Sequence, residues 1–237
     1  MRTLITATVL TLTLAASPGH ALDLQWSGEG ALGGGFTTGN TETSDFGASL
    51  TLEGKGRVWT HTLDAAIDFA ESAGTTTKDR QFLAYQADRD LSDRLFAYGR
   101  GSWERDEFSG YNSRLFAGVG LGYHVIKSAM TDWTLEGGPG YKRDEPTTGA
   151  TEQNLSVRLG SGFAHSFNEH VTVGNDTDVL WTTDSTQVIN SAALTSKLMG
   201  SLSARLSFDL RYDTDPRAGR ESTDTTTRAS LVYSFGE

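Results

Sequence analysis

From about residue 22 onward, apolar and polar residues alternate one by one, the mark of strands whose two faces meet different surroundings. Across 44–55, Phe46, Ala48, Leu50 and Leu52 point one way and Asp45, Ser49, Thr51 and Glu53 the other. Across 59–70, Trp59, Leu63, Ala65, Ile67 and Phe69 oppose Thr60, Thr62, Asp64 and Asp68. Leu115, Ala117, Val119, Leu121, Tyr123 and Val125 oppose Arg114, Gly118, Gly120, Gly122 and His124. Similar series run through Leu155–Phe163 and Ala204–Tyr212. No later segment has the 3.6-residue period of an amphipathic helix. The pattern predicts about twelve strands, each about the length that lets a tilted strand cross a bilayer. Their spans are 24–36, 44–54, 58–71, 80–89, 95–106, 113–126, 132–143, 153–167, 171–182, 189–199, 202–213 and 225–235, the fourth, fifth and tenth alternating less cleanly.

Two further regularities separate a membrane barrel from a soluble sandwich. Odd-numbered connections (Thr37–Thr43, Ser72–Asp79, Glu107–Asn112, Asp144–Glu152, Thr183–Val188, Thr214–Asp224) are mostly longer than even ones (Lys55–Arg57, Asp90–Arg94, Lys127–Thr131, Asn168–His170, Gly200–Ser201). Short inner turns, longer outer loops and an even strand count are the habit of outer-membrane barrels. The tryptophans fall at strand ends: Trp26, Trp59 and Trp133 at the inner side, Trp103 and Trp181 at the outer, where Phe36, Phe69, Tyr141 and Tyr212 join them. Such rings favour the headgroup level of a bilayer. The fold class expected is therefore all-β: a single antiparallel up-and-down transmembrane β-barrel of about 12 strands.

The amino terminus supplies an address. Met1-Arg2 is a short positive region, Leu4 to Ala16 an apolar stretch, and Gly19-His20-Ala21 offers small residues to a signal peptidase. Residues 1–21 are expected to be a signal peptide and 22–237 the outer-membrane barrel. A mean hydropathy of −0.36 does not oppose this, because strands that alternate never build a long apolar run. The absence of cysteine excludes thiol chemistry and cysteine-ligated metals. A formal net charge of −10, without a basic stripe, argues against nucleic acid as a partner.

The polar faces carry the candidate chemistry. Asp64, Asp68, Arg100, Arg114, Arg158, Asp176, Asp178, Arg205 and Arg211 are expected to line the lumen, with Lys197 and Arg228 as further cations. In a barrel interior carboxylates mostly answer arginine and lysine on neighbouring strands; ion or solute selectivity is the lesser use and catalysis the least. Gly118-x-Gly120-x-Gly122 lies within a strand, with no following helix, so it is no dinucleotide fingerprint. Glycines there leave room in the lumen or allow curvature. A serine hydrolase needs serine and histidine together. His165 and Ser166 are adjacent on a strand and so point to opposite faces, His124 faces the lumen and His170 sits in a turn. No catalytic residue, metal site or cofactor is assigned, and no enzyme is expected.

An ordered set of local patterns resembles the family of salt-induced outer membrane proteins (YdiY-like, a domain of unknown function). The residues are Thr38-Gly39-Asn40-Thr41-Glu42-Thr43, Asp106-Glu107-Phe108-Ser109-Gly110, Gly118-Val119-Gly120-Leu121-Gly122-Tyr123, Gly137-Gly138-Pro139-Gly140-Tyr141, and Tyr212-Asp213 with Pro216. The resemblance implies an outer-membrane barrel and, by name, a link to salt stress, but no established activity or ligand. The expectation is a monomeric narrow pore or structural envelope protein in the outer membrane of a Gram-negative bacterium. Its partners would be the bilayer and, during biogenesis, the barrel-assembly machinery. The carboxyl-terminal strand keeps Leu231, Tyr233 and Phe235 in alternation, but Gly236 and Glu237 follow where many such barrels end on an aromatic. The alternatives are an outer-membrane lipid-modifying hydrolase and a soluble periplasmic β-barrel that binds an apolar ligand.

Overall fold

The computed structural model describes residues 24–38, 43–72 and 75–236. The segment read as a signal peptide lies outside them. Twelve strands follow in chain order: β1 (Gln25–Thr38), β2 (Thr43–Lys55), β3 (Trp59–Ser72), β4 (Thr75–Asp90), β5 (Leu95–Asp106), β6 (Tyr111–Lys127), β7 (Thr131–Pro146), β8 (Glu152–Ser166), β9 (Val171–Thr182), β10 (Thr186–Met199), β11 (Leu202–Asp213) and β12 (Thr223–Phe235). Each pairs antiparallel with its sequence neighbours, and β1 pairs with β12 from Gly28↔Phe235 to Thr38↔Thr225, so the sheet closes on itself. Closure gives every strand a hydrogen-bonding neighbour on both sides and leaves no open edge. Because the count is even, Gln25 and Phe235 come to one rim, the near rim; Thr38, Asp106 and Asp213 mark the far rim.

The alternation sorts side chains as the sequence predicts. Leu32, Phe36, Ile67, Val119, Leu155 and Leu206 stand on the outer wall, Phe36 at 69% and Leu155 at 81% exposure, while Ala31, Thr37, Asp68 and Ser156 beside them in sequence are buried inside. The tryptophans lie near strand ends: Trp26, Trp59 and Trp133 toward the near rim, Trp103 and Trp181 toward the far rim. Trp59, His61 and Tyr85 stack in series on the outer wall, with the His61 ring 2.7 Å from the Tyr85 hydroxyl.

Several boundaries differ from the sequence reading. β4 begins at Thr75 rather than 80, so only 73–74 separate it from β3; β10 begins at Thr186, and Asp144 belongs to β7 rather than to a loop. The contrast in connection length shrinks as a result, and 214–222 remains as the single long connection. The reason is physical. Beyond the apolar band neither face of a strand needs to be apolar, so alternation fades, yet backbone pairing continues. Ser72↔Thr75 and Glu71↔Thr76 show it, the latter beside a register shift at Ala70. Near-rim turns are closed locally. The Asn168 side-chain oxygen accepts the backbone N–H groups of His170 and Val171 at 2.8 and 3.0 Å, and Gly200 takes a positive φ of 56° in the tightest turn.

Along β5 and β6 aromatic rings fill part of the interior. Phe96 and Tyr98 of β5 are buried and point inward, where they meet the glycine series of β6. A Cβ on Gly120 would lie 2.7 Å from the Tyr98 ring, and one on Gly118 would lie 2.6 Å from the Phe116 ring. The room that Gly118, Gly120 and Gly122 leave is thus filled by aromatic rings. Gly120→Val should destabilise the barrel by about 1–3 kcal/mol through overpacking. Denaturant unfolding of the refolded protein would measure this, and Tyr98→Ala in the same chain should recover only part of the loss, because the new Cβ would also lie 2.3 Å from the Gly137 carbonyl oxygen.

Candidate functional site

Inward-facing side chains surround a cavity of about 710 Å³ that runs along the barrel, from Glu29, Ala164 and Thr172 toward the near rim to Phe108, Asp144 and Asp224 toward the far rim. Its wall includes Asp68, Arg100, Arg114, Arg158, Asp176, Asp178, Arg205 and Arg211. Asp64 does not touch the cavity itself. It shares the inward face of β3 with Asp68 and accepts a hydrogen bond from Thr51 at 2.9 Å.

The far half holds a continuous ion-pair network. Asp45 of β2, whose side chain is 0% exposed, binds Lys78 at 2.5 Å and Arg228 at 2.8 Å. Arg228 also reaches Asp68 at 2.5 Å, spanning from β12 past β1 and β2 to β3. It can do so because Gly35 and Gly47 lie beneath its path; a Cβ on Gly47 would sit 2.5 Å from the guanidinium carbon. Asp68 continues to Arg80 at 3.0 Å, and Arg80 to Glu104 at 3.3 Å. Glu104 then receives Arg211 at 2.7 Å. β5 and β11 lie six strands apart in a ring of twelve, so this bond crosses the lumen. Nearby, Arg114 approaches Asp144 at 3.5 Å and Asp213 of β11 at 3.7 Å, and Lys142 binds Asp144 at 2.7 Å.

The far mouth is strapped. The 214–222 connection leaves β11 and reaches over to β6, where the Arg217 guanidinium lies 5.2 Å from the Tyr111 ring centre. Arg114 stacks on the same ring at 4.0 Å. Arg217 also binds Glu152, at the start of β8, at 2.7 Å. The 107–110 turn adds Phe108 and Ser109 to the cavity wall, Ser109 being tied to the Asp106 carboxylate through its backbone N–H (3.1 Å) and hydroxyl (2.7 Å).

Toward the near rim the charges form separate groups. Arg158 bridges Glu136 at 2.6 Å and Asp178 at 2.5 Å, and Gln86 donates to Glu136 at 2.9 Å while accepting from Arg100 at 3.1 Å. Arg205 grips Glu29 with two nitrogens, at 2.5 and 2.8 Å. Asp64 and Asp176 stand apart: neither has an ion pair within 4 Å among the described residues. The two aspartates of β3 and the two of β9 therefore divide, Asp68 and Asp178 locked to arginines and Asp64 and Asp176 left to the lumen. His124 contacts the Thr134 hydroxyl at 3.0 Å and His165 the Thr131 hydroxyl at 2.8 Å.

Alternation located the sequence candidates. Asp45, Lys78, Arg80, Glu104, Glu136 and Lys142 also face inward, although the sequence reading did not place them among the lumen candidates. Lys78 lay in an expected loop, and the strands of Arg80 and Glu104 alternate less cleanly. Arg228→Met would leave Asp45 and Asp68 buried with fewer cations. Breaking one side of a buried pair costs about 3–5 kcal/mol, here toward the lower end because Lys78 and Arg80 remain. Heat-modified migration and denaturant midpoints should fall, and Asp68→Asn in the same chain should restore part of the loss.

Comparison with known proteins matches residues 30–235 to the family described as "Protein of unknown function, DUF481". The "Uncharacterized protein YdiY" of Escherichia coli (strain K12) is 23% identical over 211 residues, covering 87% of this chain and 83% of that protein. Among solved structures, the NanC porin superposes with a TM-score of 0.59 at 12% identity, over 86% of this chain and 98% of that one. The translocator domain of the autotransporter NalP from Neisseria meningitidis gives 0.52 at 14%, over 90% and 91%. The KdgM porin, solved in complex with disordered oligogalacturonate, gives 0.51 at 12%, over 86% and 99%. These structural likenesses concern the fold.

Proposed function

The chain belongs to the DUF481 family, and on that premise we propose that it is an integral outer-membrane channel, narrow, internally braced and strapped at its outer mouth. The observation that carries the reading is a closed barrel with an apolar wall outside and a charged cavity inside. An exposed wall that bears Phe36, Leu155, Val119 and Leu206 is costly in water and favourable in lipid, at about 25 cal/mol per Å² of apolar surface. Rings at both rims suit the two headgroup levels. The near rim, with both barrel ends, faces the periplasm in this reading, and the 214–222 strap faces outward.

Twelve strands enclose more than side chains of an eight-stranded barrel can fill and less than an open porin. The Arg211–Glu104 bond and the strap narrow the far half further. Small ions fit such a passage better than extended solutes. Asp64 and Asp176, without ion-pair partners among the described residues, give the near half a bias toward cations. The reading assigns no enzymatic step.

A salt link follows from the strap. Arg217 and Glu152 are 28% and 48% exposed, so their attraction is screened as ionic strength rises. A strap held this way loosens in high salt, which fits the salt-stress name of the resembling family.

Single-channel recording of the refolded mature chain in a planar bilayer tests the reading. Discrete, cation-preferring steps are expected, and Asp64→Asn with Asp176→Asn should reduce the preference without unfolding the barrel. A silent bilayer with a folded barrel would refute conduction and leave a structural envelope role. Arg217→Ala should raise opening frequency at low salt toward the wild-type value at high salt; an unchanged frequency would remove the strap from the mechanism.

A further inference from the structure

A second, smaller recess lies under the strap at the far mouth and holds more hydrogen-bond donors than the chain itself answers. It measures about 60 Å³ and opens between β6, β10, β11 and the 214–222 connection. Four guanidinium groups reach its wall: Arg114 from β6, Arg211 from β11, and Arg217 and Arg220 from the strap. The Tyr111 ring holds two of them in place, Arg114 at 4.0 Å and Arg217 at 5.2 Å from its centre. Three nitrogens of this pair are shut off from solvent and without a hydrogen bond: Arg114 Nη2, Arg217 Nε and Arg217 Nη2. Arg114 Nη2 stands 3.7 Å from Asp213, too far for such a bond. Arg217 Nη2 is 2.7 Å from Glu152 but lacks the alignment, so that contact is an ion pair only. The Arg220 guanidinium makes no ion pair within 4 Å among the described residues, while its backbone N–H donates to the Arg217 carbonyl at 2.8 Å.

The carboxylates on the same wall are already engaged. Asp213 accepts from Gln187 at 2.9 Å with one oxygen and from the Asp215 backbone at 3.0 Å with the other. Glu221 and Asp224 have contacts of their own. Asp144, which approaches Arg114 Nε at 3.5 Å, lines the larger cavity rather than this one. A buried N–H without an acceptor is rare, and a solvent molecule or an ion normally explains it. Arginine carries five donors and no acceptor, so the missing group has to accept. Water would answer single donors but would leave four cations facing three carboxylates. An anion with several oxygens answers both. The recess exceeds the ~30 Å³ that one water takes up in the liquid, and planar guanidinium forks match paired oxygens.

We propose that this recess binds a small oxyanion of the phosphate or sulfate type, and that the bound ion clamps the strap shut by bridging Arg114 of the wall to Arg217 and Arg220 of the strap. Chloride offers no fork of oxygens to set against guanidinium planes on two elements. The clamp rests on the strap reading above and gives it a second control. Ionic strength alone loosens the Arg217–Glu152 pair, whereas an oxyanion at the same ionic strength tightens the strap. A ligand that prefers the closed strap shifts it toward closure by as much as that preference allows.

The test uses the refolded mature chain in detergent, at constant ionic strength made up with chloride. Titration with inorganic phosphate, followed by calorimetry, should give a saturable one-to-one heat, and sulfate should compete for it. Hydrogen exchange of the 214–222 amides should be slowed by phosphate and not by chloride. Arg217→Met and Arg114→Met should each weaken binding roughly tenfold or more, through lost charge-assisted hydrogen bonds. Arg57→Gln, which removes a cation from a near-rim turn, should leave it unchanged. If Arg114→Met fails to fold, Arg220→Gln on the strap should still weaken binding. A folded barrel without saturable phosphate binding would mean that water fills the recess, and the proposal would be overturned. Binding that survives all three arginine changes, or that leaves strap exchange unaltered, would overturn it too. Both readouts are independent of current, so failure of this site and failure of conduction are separately visible.

Discussion

The rest of the structure depends on sheet closure. An open sheet would leave the backbone N–H and C=O groups of its two edge strands unpaired, and here β1 finds β12 and removes both edges. Twelve strands then fix the bore. Once the bore is fixed, each inward side chain is either long enough to meet one from the far side or left facing a cavity. Arg211 and Glu104 meet. Asp64 and Asp176, shorter and closer to the near rim, make no ion pair within 4 Å among the described residues.

That constraint explains why the far half is charged and yet crowded. Inward carboxylates such as Asp45 and Asp68 are cut off from solvent, and burial without partners would be costly. Arg228, Lys78 and Arg80 answer them, and glycines at 35 and 47 give the arginine a lane across two strands. The same device appears in apolar form on β6, where glycines receive Phe96, Tyr98 and Phe116. In both places a residue with no side chain makes an interior contact possible by yielding space to a neighbour on another strand.

Much of the fold could be read along the chain because the side-chain period of a strand is two and a closed barrel gives the two faces different surroundings. The strand count, the near-rim turns and the rim tryptophans all follow from that period. It says nothing about pairs across the bore, since those depend on the stagger and tilt of the closed barrel rather than on neighbours in sequence. Hence Asp68 and Asp178 could be assigned to the lumen but not told apart from Asp64 and Asp176. Nor could the sequence place β4 at Thr75, where a threonine run pairs without an apolar face to announce it. β10 was harder for a related reason: Ile189 faces the cavity and Asn190 faces out, against the usual sense.

The seam between β1 and β12 has a consequence for how the protein comes into being. Thr37 meets Thr226 and Thr38 meets Thr225, partners separated by 189 and 187 positions along the chain. No nascent or truncated polypeptide can therefore form the ring, because its first strand waits with an unpaired edge until the last one arrives. Contacts of such range are slow to form, and the waiting edge invites aggregation. Completion of synthesis therefore acts as a checkpoint, since only a chain that carries both partners of the seam can close.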